Sequence, residues 1–322
     1  FIIFEEEEFD NKLSSPINSE RYCDYDEIDG LCILSGILNF SETMVFESKT
    51  IIDPGTKIIL NQGGNLIFKS SLLINGTKES PVTVEGNSSG GIFIKNNKEQ
   101  VSIIKNTTFS NLATLNSLLS RYTGSVNGYG GIFILEDVNI SNGEAEDQLN
   151  LINAKINITG LNIDNAVSDA FDCDFCEGTI KYLNLKDVGG DGLDISGSKL
   201  KVSQMEAKYI KDKAFSVGEK SYAEIDNAEY DTIATGIAVK DSSIVEASNI
   251  SLKNVGYDSF MTYVKKPFYM GETRLEVKKY STNDDSTNIC VREKGTNLII
   301  NNENCDISEI DVDTLYQGRM KK

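Results

Sequence analysis

Five aspartates in the middle of the chain recur at a fixed interval and are the residues best suited to chemistry. They occupy equivalent positions of a 22-residue repeat or lie beside one: Asp169, Asp172, Asp174, Asp191 and Asp194. If successive repeats stack as parallel strands, equivalent carboxylates lie about 4.8 Å apart. Two carboxylates at that distance repel by roughly 1 kcal/mol in water and by about 3 kcal/mol at an effective dielectric of 20. A bound cation relieves such repulsion. Because Ca2+ accepts several carboxylate oxygens without strict geometry, the five aspartates are a candidate calcium site.

Four other residues complete the candidate site. Lys213 follows Asp191 by the same interval and is the candidate general base, since the sequence contains no histidine. Asp147 and Asn150 occupy equivalent positions one repeat earlier; they are candidates for substrate contact, together with Tyr209, whose ring suits stacking on a sugar. A structural interpretation stands beside the chemical one. Asp and Asn often cap backbone groups at corners, and Lys213 can simply form an ion pair with a neighbouring aspartate.

The repeat predicts the elements that carry these residues. Five segments share one frame in which the third and fifth residues are apolar: 147–152, 169–174, 191–196, 213–218 and 235–240. Alternation with a period of two indicates a strand with one buried face, so positions one, four and six are expected to face outward. A repeat this short cannot enclose a core alone and must stack on its neighbours. The chain is therefore expected to be a solenoid.

Each repeat contains two further alternating runs, which gives three short strands per coil. Ile156 and Ile158 are the inward residues of the second strand, and Leu161 and Ile163 are those of the third. Three strands in a coil of about 22 residues predict an all-β fold, a right-handed parallel β-helix solenoid. Neither a leucine-rich pattern nor a six-residue period recurs, which argues against other solenoids.

The expected organisation is one solenoid between two short ends. Residues 1–30 are predicted to form an acidic tail and an N-terminal cap, 31–310 the parallel β-helix, and 311–322 a C-terminal tail. An irregular insertion is expected near 108–131, where the alternation stops. The sequence has no stretch of apolar residues long enough for a transmembrane helix, so no membrane span is predicted.

Charge and cysteine content restrict the expected binding partners and the expected cellular compartment. The 31 basic and 49 acidic residues give a net charge of −18. Nucleic acid is therefore not an expected partner, because its phosphates require clustered Lys and Arg. The 6 cysteines form local pairs, which favour disulfides in a secreted, periplasmic or cell-surface protein. The expected bonds are Cys23–Cys32 and Cys290–Cys305, while Cys173 and Cys176 either form a third bond or pack in the core.

Four fragments carry a resemblance to a known type of domain: residues 168–175, 189–198, 211–220 and 236–241. They look like the right-handed parallel β-helix (pectate-lyase-like) domains of bacterial surface proteins, of the type found beside spore-coat-kinase-like (CotH) domains. The resemblance implies a β-helix fold and a cell-surface setting, and it brings no agreed catalytic residues. The sequence contains no kinase-like segment, so the resemblance does not imply kinase activity.

These features lead to three functional hypotheses. The first is a secreted or cell-surface module that binds or organises extracellular polysaccharide, with Ca2+ on the acidic positions. The alternative is a calcium-dependent polysaccharide lyase or uronate epimerase, in which Ca2+ neutralises the substrate carboxylate and Lys213 moves the proton. The third is a structural subunit of a surface assembly. The scarcity of arginine argues against a lyase, because such an enzyme needs cationic groups around the substrate carboxylate.

Overall fold

The computed structural model describes residues 17–18, 22–26, 30–115, 122–283, 288–308 and 310–318. Strand makes up 63% of the structure and helix 2%, so the fold is nearly all β. The chain winds into a parallel β-solenoid of about 11 turns, with about 23 residues per turn. The fold class that the repeat predicts is confirmed.

Three parallel sheets run along the solenoid, and a complete turn contributes one strand to each. Sheet A carries the predicted acidic positions. It contains β1 (Ile17–Asn18), β5 (Thr43–Phe46), β8 (Asn65–Phe68), β11 (Ile92–Lys95), β13 (Gly124–Tyr129), β15 (Asp147–Ile152), β18 (Asp169–Asp174), β21 (Leu193–Ser196), β28 (Asn288–Arg292) and the last parts of β23 (Met205–Gly218), β24 (Tyr222–Lys240) and β25 (Ile244–Tyr263).

The other two sheets follow sheet A in each turn. Sheet B contains β2 (Asp24–Asp26), β3 (Leu31–Leu34), β6 (Thr50–Ile52), β9 (Leu72–Asn75), β16 (Lys155–Ile158), β19 (Glu177–Ile180), β22 (Lys199–Val202), β26 (Arg274–Val277), β29 (Asn297–Ile300), β30 (Glu303–Asn304) and the first parts of β12 (Val101–Ser110), β14 (Ile132–Ser141), β24 and β25. Sheet C contains β4 (Ile37–Phe40), β7 (Lys57–Leu60), β10 (Val82–Gly86), β17 (Leu161–Ala166), β20 (Leu183–Val188), β27 (Tyr280–Thr282) and the remaining parts of β12, β14, β23, β24 and β25.

The interior of the solenoid is one continuous apolar core that reaches from Cys32 to Cys305. The third and fifth residues of the predicted frame all point into it with 2% exposure or less: Leu149, Leu151, Phe171, Cys173, Leu193, Ile195, Phe215, Val217, Ile237 and Val239. The inward residues predicted for the second and third strands are buried as well, among them Ile156, Ile158, Leu161 and Ile163. The hydrophobic period therefore predicts the core correctly.

Both ends of the solenoid are closed by local structure. The β2–β3 and β29–β30 pairs are antiparallel, unlike the pairs between successive turns. Disulfides join Cys23 to Cys32 and Cys290 to Cys305 near these ends, and a third joins Cys173 to Cys176 beside β18. A short helix, α1 (Val312–Gln317), follows the last turn and is capped by the Asp311 side chain. Such ends protect a solenoid from pairing edge to edge with another chain.

The outer face of sheet A changes character along the solenoid. Position four is in register over the turns and reads Val45, Ile67, Phe93, Asn127, Asn150, Asp172, Asp194, Ser216, Ala238, Met261 and Val291. Leu115 and Tyr122 pack on the first apolar residues, and α1 packs on the last ones. The polar positions in between therefore lie in a gap between two covered apolar patches.

The position of the core predicts that two isoleucines differ in how much stability the protein loses when each is replaced by alanine. Ile195→Ala removes a side chain that is fully buried in sheet A, and Ile37→Ala changes one that is 72% exposed in sheet C. We expect the first change to lower the free energy of unfolding by about 2–5 kcal/mol, because it leaves a cavity. The second should change it by less than about 0.5 kcal/mol. Urea unfolding measures both changes when the variants have the same dependence of free energy on urea concentration. Equal losses of free energy in the two variants would contradict the assignment of the core.

Candidate functional site

The predicted aspartates of sheet A come together in one cluster, here called the acidic ladder. It consists of Asp147, Asn150, Asp169, Asp172, Asp174, Asp191 and Asp194 on three successive turns. The strands pair in register, so that Asp147 lies beside Asp169, and Asp172 lies between Asn150 and Asp194. Parallel pairing therefore stacks like charges on one another, as the sequence predicts.

Position one of the ladder is buried, which corrects the expectation that it faces outward into solvent. Asp169 and Asp191 are only 5% and 1% exposed. Asp169 Oδ1 accepts a hydrogen bond of 2.8 Å from the backbone N–H of Asp191, and Asp191 Oδ1 accepts one of 3.0 Å from that of Lys213. Each carboxylate thus caps the backbone of the following turn, which is the structural role that aspartates commonly have at corners.

Lys213 supplies a positive charge within the ladder. Its Nζ lies 2.9 Å from Asp191 Oδ1 and 2.6 Å from Asp212 Oδ2, and the side chain is almost fully buried. Burial alone would lower the pKa of Lys213, but the charges of Asp191 and Asp212 outweigh it and hold the pKa above its usual value. A general base must release its proton, so this environment argues against that role for Lys213.

Lys240 is a second buried cation beside the ladder. Its Nζ donates a hydrogen bond of 2.6 Å to Ser216 and lies 3.7 Å from Asp194 Oδ1, which is beyond hydrogen-bonding distance. Burial disfavours the charged ammonium, but the Asp194 carboxylate, the nearest of several anionic groups, raises the pKa of Lys240 above its usual value. The two lysines therefore neutralise the end of the ladder nearer the C-terminus.

The opposite end of the ladder has hydrogen-bond donors in place of cations. Thr123 donates to Asp147 Oδ2, and the Asn150 Nδ2 group lies 3.2 Å from both Asp147 Oδ2 and Asp172 Oδ2. Burial raises the pKa of Asp147 to about 7; the charge of Asp169 adds to this, while the hydrogen bonds from Thr123 and Asn150 oppose it. At neutral pH this carboxyl group is only partly ionised.

Asp172 and Asp174 also hold their protons more tightly than usual. Burial and then the charges of Asp174 and Asp194 raise the pKa of Asp172 well above its ordinary range. Burial, followed by the charges of Asp194 and Glu219, raises the pKa of Asp174 to about 6. Both pKa shifts arise first from burial and then from the negative charge of the neighbouring carboxylates.

Three ladder carboxylates have the spacing of a metal ligand set. Asp169, Asp191 and Asp194 each place one oxygen within 4.8 Å of the other two. Asp172 and Asp174, the other predicted ligands, are not part of that group. Three of the five predicted ligands are therefore members of this group, and the calcium site itself stays a prediction.

A segment after β25, residues 264–270, packs against sheet A beside the ladder and is here called the strap. The backbone N–H groups of Lys265 and Lys266 donate to Asp241 Oδ1 at 2.7 and 2.6 Å. The Lys266 ammonium pairs with Glu219, which also accepts a hydrogen bond of 3.0 Å from the hydroxyl of Tyr269. The strap thus fixes its position through buried carboxylates of two successive turns.

A groove runs along the corner between sheets C and A and is here called the corner groove. It has a volume of about 830 Å³. Its walls include a residue with positive φ from each of five successive turns: Asn165, Asp187, Tyr209, Thr232 and Asn254. Asn and Asp tolerate this backbone conformation, whereas Tyr and Thr adopt it only at a cost in strain. Tyr209 is 42% exposed, so its ring is accessible from the groove.

The structure separates the three predicted substrate residues. Asp147 and Asn150 are each 3% exposed inside the acidic ladder, so a polymer has no direct access to them. Tyr209 lies in the corner groove instead. Sequence reasoning missed Lys240, although it occupies position six of the predicted frame. It also missed Thr123, which lies in the stretch without alternation.

No family model, no curated protein and no solved structure matches the chain.

Removal of the Lys213 ammonium tests its structural role. Lys213→Met leaves Asp191 and Asp212 buried without their shared cation, and we expect it to lower the free energy of unfolding by about 3–5 kcal/mol. The matched change Lys186→Met removes an exposed ammonium that pairs with Asp164 and Asp187 at the surface. Urea unfolding should give an unchanged midpoint for this control. A similar midpoint for wild type and Lys213→Met would contradict the ion-pair role.

The shifted carboxyl groups predict that the metal-free protein is more stable in mild acid. Because the pKa of Asp147 is about 7 in the folded protein and 3.8 for the unperturbed group, the folded state binds the proton more tightly. Stability should therefore rise as the pH falls from about 8 toward 5, with Asp147 contributing on the order of 3 kcal/mol over that range.

Thermal unfolding in EDTA at several pH values measures this dependence. Asp147→Asn should flatten the rise, whereas Asp164→Asn, which changes an exposed carboxylate outside the ladder, should leave it intact. A melting temperature that increases with pH over this range would show that the ladder is not short of positive charge.

Proposed function

We propose that the protein is a secreted or cell-surface module that binds extracellular polysaccharide, and that the corner groove is its binding surface. The observation that carries the proposal is the groove itself, which follows one corner of the solenoid over five turns. At about 4.8 Å per turn it spans about 19 Å. A long open groove of this kind suits a linear polymer better than a compact metabolite, which is usually enclosed.

The side chains along the groove suit a sugar chain. Tyr209 offers an aromatic ring, and Val167, which also lines the groove, adds apolar surface with 65% exposure. Asn165 and Thr232 offer amide and hydroxyl groups for hydrogen bonds. Sugars combine apolar C–H faces with hydroxyl groups, so a surface that combines an aromatic ring with amide and hydroxyl groups complements them.

The charge of the protein favours an uncharged polymer. The net charge of −18 repels polyanions at long range. Asp187 adds a carboxylate to the wall of the groove, and Lys211 adds one ammonium. The groove thus lacks the concentration of basic groups that a uronate polymer would require.

A lyase or epimerase is the weaker alternative. Its chemistry needs a base that can take a proton from the sugar, and Lys213 is buried and paired with two carboxylates. The corner groove contains Tyr209 and Lys211, and the Lys208 ammonium lies 4.9 Å from the centre of the Tyr209 ring. Binding without chemistry therefore accounts for more of the site.

The setting is consistent with an extracellular polymer. Three disulfide bonds fit an extracellular protein, because disulfides persist in oxidising compartments. Among the described residues, no helix is long and apolar enough to cross a membrane. The resemblance of four fragments to β-helix domains of bacterial surface proteins points to the same setting, as an analogy of sequence.

Two exposed aromatic residues with the same backbone conformation test the proposal. Tyr209 lies in the corner groove and Phe175 does not; both have positive φ, and they are 42% and 43% exposed. We expect wild type to bind uncharged polysaccharides. Tyr209→Ala should weaken this binding at least about tenfold, because the aromatic contact is lost. Phe175→Ala makes the same backbone change outside the groove, so this variant should bind as wild type does.

Binding is measured by affinity electrophoresis and calorimetry with glucans, xylans and mannans, in EDTA so that cations play no part. Equal losses in both variants, or no binding to any polysaccharide of the panel, would reject the groove as a glycan site. Light scattering over a range of concentrations then distinguishes the third hypothesis, since a structural subunit should associate with itself.

A further inference from the structure

We propose that two copies of this chain pair face to face through an apolar stripe on the outer side of sheet B. The stripe consists of one outward residue from each of five successive turns: Ile33, Ile51, Leu73, Ile103 and Ile134. The two solenoids run antiparallel, with Leu73 of one copy opposite Leu73 of the other. Because the corner groove lies between sheets C and A, the pair leaves the groove open, and the proposal is independent of polysaccharide binding.

The register of sheet B places the five residues in one line. Ile51 lies between Ile33 and Leu73, and Ile103 lies between Leu73 and Ile134. Their neighbours along each strand are buried in the core, so these five side chains point outward, and all of them remain partly exposed. At about 4.8 Å per turn, four steps between turns give a stripe about 19 Å long.

The same line becomes polar in the following turns. Beyond Ile134 it continues with Asn157, Thr179, Lys201, Glu224, Glu246 and Glu276. The solenoid therefore forms without apolar residues on this side of sheet B. On sheet A, the outward apolar residues near either end are covered by Leu115 and Tyr122 or by α1. A contiguous apolar surface that stays partly exposed, unlike a single exposed residue, is typical of an interaction site.

A second copy of the chain fits the stripe because the stripe is self-complementary. A two-fold axis along β9, the middle strand of the five, places the stripe on a second stripe in reverse order. Ile33 of one copy then faces Ile134 of the other, and Ile51 faces Ile103. The strands of the two copies stay nearly aligned at about 10 Å between the sheets, which is the usual arrangement of packed sheets.

The charges beside the stripe complement one another in the same arrangement. Asp53 and Lys105 each follow the strand residue that pairs with Ile74 of β9, one turn before it and one turn after it. The two-fold axis therefore brings Asp53 of each copy opposite Lys105 of the other. Lys105 lies 3.0 Å from Glu136 in its own chain, and its side chain is 36% exposed, so it can contact a second carboxylate.

A two-fold axis along the stripe, the other way to pair the two sheets, fits less well. Asp53 would then meet Lys49 of the second copy. However, Glu136 would meet the apolar side chain of Ile132, and burial of a charge against an apolar group costs free energy. In the antiparallel arrangement Ile132 meets Leu31 instead, so the apolar contact extends beyond the stripe.

Sedimentation equilibrium over a range of protein concentrations tests the pair. A face of about 19 Å by 13 Å is smaller than the roughly 800 Å² per partner of a standard interface, so we expect a Kd on the order of 0.1 mM. Leu73→Lys places two ammonium groups face to face on the two-fold axis and should weaken the pair at least about tenfold. Thr179→Lys adds the same charge on the same line of sheet B, outside the stripe, and should pair as wild type does.

An exchange of charges tests the antiparallel arrangement. Asp53→Lys and Lys105→Asp should each weaken self-pairing, because like charges then face each other at two places in the pair. An equimolar mixture of the two variants should restore pairing, since every lysine at these positions then faces an aspartate. All the changed side chains point outward, so the melting temperatures should show that the variants fold.

Four results would overturn the proposal. The first is a wild type that keeps the mass of one chain up to about 0.5 mM, which would mean that a second copy does not cover the stripe. The second is pairing of Leu73→Lys at the affinity of wild type, and the third is a mixture of the charge variants that does not pair. The fourth is association beyond two chains, because a two-fold pair is closed. None of these results bears on polysaccharide binding.

Discussion

The register between successive turns is the constraint on which the rest of the structure depends. Parallel hydrogen bonding places each side chain about 4.8 Å from its equivalent in the next turn, so one residue type repeated in sequence becomes a line in space. For apolar residues the result is a continuous core. For aspartates it is a line of like charges that the same backbone pairing prevents from spreading apart. Burial of Asp147, Asp169 and Asp191 removes water from part of this line and strengthens the repulsion.

Different groups reduce this repulsion in different parts of the ladder. Near Asp147 it uses neutral donors, the hydroxyl of Thr123 and the amide of Asn150. Toward the C-terminus it uses the ammonium groups of Lys213 and Lys240. In the middle turns the backbone itself donates, through the N–H groups that Asp169 and Asp191 cap. Backbone donors stabilise single carboxylates without cancelling their charge, which is why negative charge remains concentrated in the middle of the ladder.

The sequence alone was sufficient to predict those features that depend only on the repeat. It predicted the core positions, the stacking of Asp172 on Asp194 and the local pairing of cysteines. It could not predict that position one is buried, because there each carboxylate turns back at the corner and accepts a hydrogen bond from the backbone of the following turn. It also grouped Tyr209 with Asp147 and Asn150 as a substrate contact, whereas the structure places Tyr209 in the corner groove. The backbone of Tyr209 has a positive φ at the end of the sheet C strand, one corner before the ladder. The only sequence signal for this position was the Asn or Asp found at equivalent positions of other turns.

The ladder and the corner groove share the same stretches of backbone. Val167, Gly189 and Lys211 line the groove, and each precedes a position-one residue of the ladder by two positions. The hydrogen bonds from Asp169 and Asp191 to the following turns therefore hold the corner that forms one wall of the groove. Backbone hydrogen bonds between successive turns support the same corner, from Gly189 to Ala166 and from Asp212 to Gly190. The buried aspartates therefore cost electrostatic energy, but their hydrogen bonds to the following turns hold one wall of the groove in place.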